Sequence, residues 1–162
     1  MIDVILVDDE QKAIDSLSWE LENFSDEVNI VRTFTQPEEA LTFLQHNPID
    51  CVFLDIEMPT MDGFQFLNSL TEKNFAVIIT TAYNEYAIKA IKQQAIDYLL
   101  KPVDIDDLTA AVEKIKLHIN QIEQLPLKIE SLLKNYDKDK DFLCLKSERF
   151  RDRLYKLFHV ND

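Results

Sequence analysis

Three short apolar runs, Val4-Ile5-Leu6-Val7, Cys51-Val52-Phe53-Leu54 and Ala76-Val77-Ile78-Ile79, are continuous rather than alternating. Continuity over four residues is what a strand covered on both faces requires, so each predicts an inner strand of a parallel sheet. Tyr98-Leu99-Leu100 is a shorter run of the same kind, and Asn29 to Phe34 alternates as an edge strand would. Helix-period segments lie between them. Ala13, Ile14, Leu17, Leu21 and Phe24 share one face; Ala40, Leu41, Phe43 and Leu44 follow Thr35-Gln36-Pro37-Glu38, which reads as a capping box with an early proline. Phe64, Leu67 and Leu70 predict a third helix, and Tyr86, Ala87, Ala90 and Ile91 a fourth. Asp104 can cap a fifth, through Leu108, Val112, Ile115, Ile119 and Ile122.

Strand and helix therefore alternate five times, which implies right-handed crossovers and one α/β layer with helices on both faces of a parallel sheet. The fifth helix carries its apolar stripe at heptad spacing, so its distal half either continues the core face or pairs with a second chain. Pro126 is expected to interrupt it, with a short segment from Ile129 to Tyr136 beyond. On this reading residues 1–124 form the first domain and 125–141 a linker ending in Asp137-Lys138-Asp139-Lys140-Asp141. Residues 142–162 form a tail in which Phe142 to Leu145 and Arg153 to Phe158 look like strands.

Composition narrows the chemistry. The 162 residues carry a formal charge of −13, with −15 in residues 1–124 and +2 in residues 125–162. So acidic a body repels phosphate backbones and is a poor nucleic-acid binder by itself. Gly63 is the only glycine, which excludes glycine-rich phosphate loops. Cys51 and Cys144 are far apart and His46, His118 and His159 are scattered, so neither structural disulfides nor a zinc site is expected. With no basic leader and no apolar stretch of membrane-spanning length, the expectation is a reduced, cytoplasmic protein without membrane contact.

In a parallel sheet of this type ligands bind beyond the carboxyl ends of the strands. Those ends carry Asp8-Asp9-Glu10, Asp55, Thr80-Thr81 and Lys101-Pro102. Two carboxylates about 4 Å apart repel by about 4 kcal/mol at an effective dielectric near 20, so Asp8, Asp9 and Asp55 together call for a cation between them. An all-oxygen donor set that leaves room for water suits Mg²⁺ better than zinc. With Lys101 and the Thr81 hydroxyl beside it, the site could take a phosphoryl group onto a carboxylate. Asp55, alone at the end of the central strand, is the natural nucleophile, Asp9 the direct metal ligand and Asp8 one acting partly through water.

These residues resemble the receiver domain of two-component response regulators, the CheY-like domain. The matching text is Ile5-Leu6-Val7-Asp8-Asp9-Glu10, Phe53-Leu54-Asp55-Ile56-Glu57-Met58-Pro59, Met61-Asp62-Gly63, Ile79-Thr80-Thr81-Ala82-Tyr83 and Asp97-Tyr98-Leu99-Leu100-Lys101-Pro102. The resemblance covers residues 1 to about 124 and implies a flavodoxin-like (βα)₅ doubly wound sheet of strand order 2-1-3-4-5. It further implies that Asp55 accepts phosphate from a sensor histidine kinase, with Mg²⁺ held by Asp9, Asp55 and the backbone carbonyl of Glu57, and by Asp8 through water. Lys101 would pair with phosphorylated Asp55, and the Lys101–Pro102 peptide would be cis. Thr81 and Tyr98 would act as switch residues that alter the face made by helix 4, strand 5 and helix 5, a plausible homodimer surface. Such a domain is a switch and not an enzyme on an external substrate.

The segments around Thr81 and Tyr98 are similar to regulators whose output is a LytTR-type DNA-binding domain, and the tail resembles the start of that module. The chain is then expected to be cut short within it, and DNA binding would need a fuller output domain. Three departures stand out: Thr60 after Met-Pro, Gln94 where many members have glycine, and the pair Glu57 and Tyr83 as candidate modulators of dephosphorylation. Two rivals remain: a Mg²⁺-dependent phosphatase working through an aspartyl phosphate, with Glu57 in the acid position, and an interaction module that signals without phosphate.

Overall fold

The computed structural model describes residues 1–24 and 26–136. Its elements are β1 (Ile2–Val7), α1 (Gln11–Phe24), β2 (Val28–Phe34), α2 (Pro37–Leu44), β3 (Cys51–Asp55), α3 (Gly63–Ser69), β4 (Ala76–Thr81), α4 (Ala87–Lys92), β5 (Asp97–Leu100) and α5 (Ile105–Tyr136); a 3₁₀ turn, Asn84–Tyr86, leads into α4. All neighbouring strands pair in parallel, in the order β2-β1-β3-β4-β5. This is the (βα)₅ arrangement expected from the alternation of apolar runs. Residues Met1–Leu117 form one compact unit and a second begins at His118, the division falling within α5.

The continuous strands are buried on both faces, as their composition requires. Ile5, Val7, Val52, Leu54, Val77 and Ile79 pack with Ala40, Phe64, Phe66, Leu67 and Ala90 of α2, α3 and α4. The alternate set, Val4, Leu6, Phe53 and Ile78, is equally buried, as are Ile14 and Leu21 of α1 and Leu108, Val112 and Ile115 of α5. Each fully buried side chain of this size contributes roughly 1.5–3 kcal/mol, so the strand tips are held by a stiff, close-packed centre. β2 is the exposed edge. Opposite Val4 and Ile5 it pairs Ile30 and then Arg32, leaving Val31 as an extra residue in a bulge.

The local devices differ in places from the sequence reading. Thr35 does not cap α2: the N-cap is Gln36, without a side-chain bond, because Pro37 takes the first helical position and needs no donor there. The capping box belongs to α3, where Asp62 accepts from Gln65 N–H at 2.8 Å and Gln65 Oε1 accepts from Asp62 N–H at 2.9 Å. Asp104 caps α5 as expected, accepting from Asp106 N–H at 2.8 Å. Tyr86 lies in the 3₁₀ turn rather than inside α4, which is only six residues long. Pro126 does not break α5: the helix runs through it to Tyr136, and the expected separate segment from Ile129 belongs to it. The loss of the Pro126 N–H bond is local, and its neighbours Gln124, Leu125, Leu127 and Lys128 all favour helix. On the heptad stripe, Leu108, Val112 and Ile115 are core, whereas Ile122 is 53% exposed. The charged run from Asp137 and the two expected tail strands lie outside the described residues.

α4 ends without glycine by accepting strain. Gln94 has φ +62°, and the turn is closed by Gln94 N–H to Ile91 O at 3.0 Å and Ala95 N–H to Ala90 O at 3.1 Å. A side chain in this left-handed conformation costs about 1 kcal/mol. Gln94→Gly should therefore raise stability by about 0.5–1 kcal/mol, read as a higher urea midpoint with an unchanged slope.

Candidate functional site: an acidic pocket at the strand tips

Because β1 and β3 are adjacent and in register, Val7 opposite Leu54, the residues that follow them emerge side by side. Asp8, Asp9 and Asp55 each place a carboxylate oxygen within 4.8 Å of the others. Asp8 and Asp55 are buried and Asp9 is partly exposed. β5 brings a cation to the same rim. The Lys101 main-chain N–H donates to Thr81 O at 2.8 Å, extending the β4–β5 pairing by one residue. Its ammonium lies 2.6 Å from Asp8 Oδ2 and 3.3 Å from Asp55 Oδ1. The Lys101–Pro102 peptide is cis, as the resemblance implied.

Asp8 is fully engaged, since Oδ1 also accepts Glu10 N–H at 2.9 Å. Lys101 thus makes its shorter contact with Asp8, not with Asp55. Asp55 is left with the weaker half of one cation, and burial, then the charge of Asp8, push its carboxyl up to about 6 against the pull of Lys101. The Lys101 ammonium goes the other way. Burial lowers its pKa, but the hydrogen bonds and charges of Asp8 and Asp55 outweigh that and raise it. Three carboxylates with one ammonium, which contacts Asp8 and Asp55 alone, are short of positive charge, and this donor set fits a hard divalent cation.

Gly63 sets the loop that carries Asp55. A Cβ at this position would lie 2.5 Å from Asp55 O, and Gly63 N–H donates to Ile56 O at 2.8 Å. The chain's sole glycine therefore stands where the start of α3 presses against the backbone of the β3 tip.

The remaining expected residues lie on the β4–β5 side. Thr81 is fully buried, and its hydroxyl accepts Tyr83 N–H at 3.3 Å. The Tyr98 hydroxyl donates to Tyr83 O, so Thr81, Tyr83 and Tyr98 form one chain of contacts from the end of β4 to β5. Glu57 is exposed, and its carboxylate accepts the hydroxyl of Tyr86 at 3.1 Å. Tyr83, 45% exposed, stacks edge-on against Tyr86, ring centres 6.3 Å apart. Tyr86 and Gly63 are the functional candidates that the sequence did not single out as such. Tyr86 reads there as one more helix-face aromatic, and its partner is 29 positions away.

Comparison with known proteins gives the same assignment. Residues 4–113 match the response regulator receiver domain, and the chain belongs to that family. It is 40% identical over 116 residues to the transcriptional regulatory protein YpdB of Escherichia coli K12, covering 70% of this chain and 47% of YpdB. It is also 40% identical over 118 residues to the sensory transduction protein LytT of Bacillus anthracis, covering 72% of this chain and 48% of LytT. The crystal structure of the response regulatory domain of MrkE from Klebsiella pneumoniae superposes with a TM-score of 0.67 at 33% identity, covering 74% of this chain and 99% of that one. The chain thus spans about half the length of the curated relatives it matches. Among the described residues no helix is long and apolar enough to cross a membrane.

Two outcomes follow for the pocket. Gly63→Ala should cost about 1–3 kcal/mol in urea unfolding, because backbone and not a pliant side chain must yield. Asp55→Asn should stabilise the protein in metal-free buffer. The folded-state value near 6 lies above the ordinary carboxylate value, so ionising Asp55 weakens the native state and stability falls as pH rises from about 4 to 6. The advantage of Asp55→Asn should be absent at pH 4 and about 1–2 kcal/mol at pH 7, allowing for water at the open rim, as measured by denaturation at the two pH values.

Proposed function

We propose that this chain is a phosphoryl-accepting switch in which Asp55 takes a phosphoryl group from a sensor histidine kinase. The observation that carries this reading is the convergence of Asp8, Asp9, Asp55 and Lys101 at one rim of the sheet. An Asp55 carboxylate oxygen attacks phosphorus, the phosphorus–nitrogen bond of the phosphohistidine breaks, the imidazole leaves, and an acyl phosphate results. With a carboxyl that ionises near 6, most Asp55 is a free carboxylate at neutral pH. Mg²⁺ would be held by Asp9, Asp55 and the Glu57 backbone carbonyl, with Asp8 acting through water; when bound, it withdraws charge from the phosphoryl oxygens. Lys101, already in contact with Asp55, and the Thr81 hydroxyl would donate to the new oxygens.

The reaction is self-catalysed and stoichiometric, unlike the turnover of a phosphatase. The added 1.5–2 negative charges compete for Lys101 and for the Thr81 hydroxyl, and Thr81 is already linked through Tyr83 to Tyr98. That route leads to α4, β5 and α5, where Ile88, Ile91 and Leu100 are exposed, and pairing with a second copy through this face is part of the proposal. Tyr83, a member of that route, and Glu57, which accepts the Tyr86 hydroxyl, are proposed to modulate phosphoryl lifetime. The name of YpdB, a transcriptional regulatory protein, and that of LytT, a sensory transduction protein, support a role in signal-dependent transcriptional control; a cytoplasmic location and DNA contact through an output domain of the LytTR type are part of the proposal.

The deciding experiment is intact-mass measurement after incubation with Mg²⁺ and acetyl phosphate. Wild type should gain one phosphate and Asp55→Asn none, with the gain abolished by a chelator. Equal labelling of both, or of neither, overturns the assignment.

A further inference from the structure

We propose, resting on the reading above, that Tyr86 is a positioning residue for the phosphoryl site: its hydroxyl holds the Glu57 carboxylate on the α4 side of the loop after β3, away from the pocket of Asp8, Asp9 and Asp55. The hydroxyl donates to Glu57 Oε1 at 3.1 Å. The Tyr86 ring is braced edge-on by Phe64 at 6.0 Å and by Tyr83 at 6.3 Å between centres. Phe64 is buried and has the Lys89 ammonium 4.2 Å from its ring centre, so the brace is itself fixed.

Glu57 and Tyr86 line a groove of about 400 Å³ with Asp62, Phe64 and Lys89, and none of the three pocket aspartates borders it. The restraint matters because Glu57 is only two residues from Asp55. The pocket already gathers three carboxylates, and its one ammonium contacts only Asp8 and Asp55. A fourth carboxylate free to swing to the rim would attract a divalent cation and repel an anionic phosphoryl donor. The hydroxyl thus separates two properties that charge alone would set against each other, metal affinity and speed of phosphoryl uptake.

Tyr86→Phe in the 162-residue chain keeps both ring contacts and removes only the hydroxyl. Mg²⁺ binding, followed by calorimetry without a donor, should tighten by about two- to fivefold, while uptake from acetyl phosphate at saturating Mg²⁺, followed by intact mass, should slow by a similar factor. Glu57→Gln supplies the control, since its amide oxygen accepts the same hydrogen bond without charge. In the double variant Tyr86→Phe/Glu57→Gln, both quantities should equal those of Glu57→Gln alone. No change in either quantity on Tyr86→Phe overturns the proposal, as does an equally large change with and without the Glu57 charge. If wild type takes up no phosphate, the phosphoryl-switch reading fails, while the Mg²⁺ measurement still decides whether Tyr86 restrains Glu57.

Discussion

Three carboxylates meet at the rim of the sheet with one ammonium that reaches only two of them, Asp8 and Asp55, and most of the molecule can be understood as the means of keeping them there. Left to themselves Asp8, Asp9 and Asp55 would separate, since each pair at this range repels by several kcal/mol. They cannot, because β1 and β3 are locked in register by side chains buried on both faces. Lys101 relieves only part of the repulsion, and it relieves Asp8 first. The pocket is therefore deficient in positive charge by construction, and that deficiency makes it receptive to a cation and then to an anion bound through it.

Holding the charges requires a firm loop on one side and a responsive one on the other. After β3, the backbone of Asp55 and Ile56 is pressed against Gly63, and the Asp62–Gln65 box fixes the first turn of α3 beside it. After β4, by contrast, Thr81, Tyr83 and Tyr98 are joined by single hydrogen bonds, and the six-residue α4 ends in a left-handed Gln94. The backbone after β3 is thus closely pressed, whereas the segment after β4 is tied by single hydrogen bonds.

What the sequence disclosed follows from this division. The inner strands were legible because burial on both faces leaves an unbroken apolar run, and the pocket was legible because its members are the residues directly after those runs. The strand order rested on the resemblance, not on the runs themselves. Less legible were features that depend on a neighbour distant in sequence. Nothing in the text around Lys101 says that it sits closer to Asp8 than to Asp55, and nothing near Glu57 points to Tyr86. Helix ends were misjudged where one strong signal outweighed another: Pro37 moved the cap from Thr35 to Gln36, and helix-favouring neighbours carried α5 through Pro126.

The Val31 bulge has a consequence for how copies of this protein can associate. An open sheet has two rims along which a neighbouring chain could add a further strand and so propagate without limit. Here one rim is β2, whose ladder is thrown out of phase by the surplus residue, and the other is β5, four residues long. Neither offers a straight template, so stacking sheet against sheet is discouraged at both ends. The helix-mediated pairing proposed above is thereby left as the closed alternative to strand addition, one that would saturate at two copies.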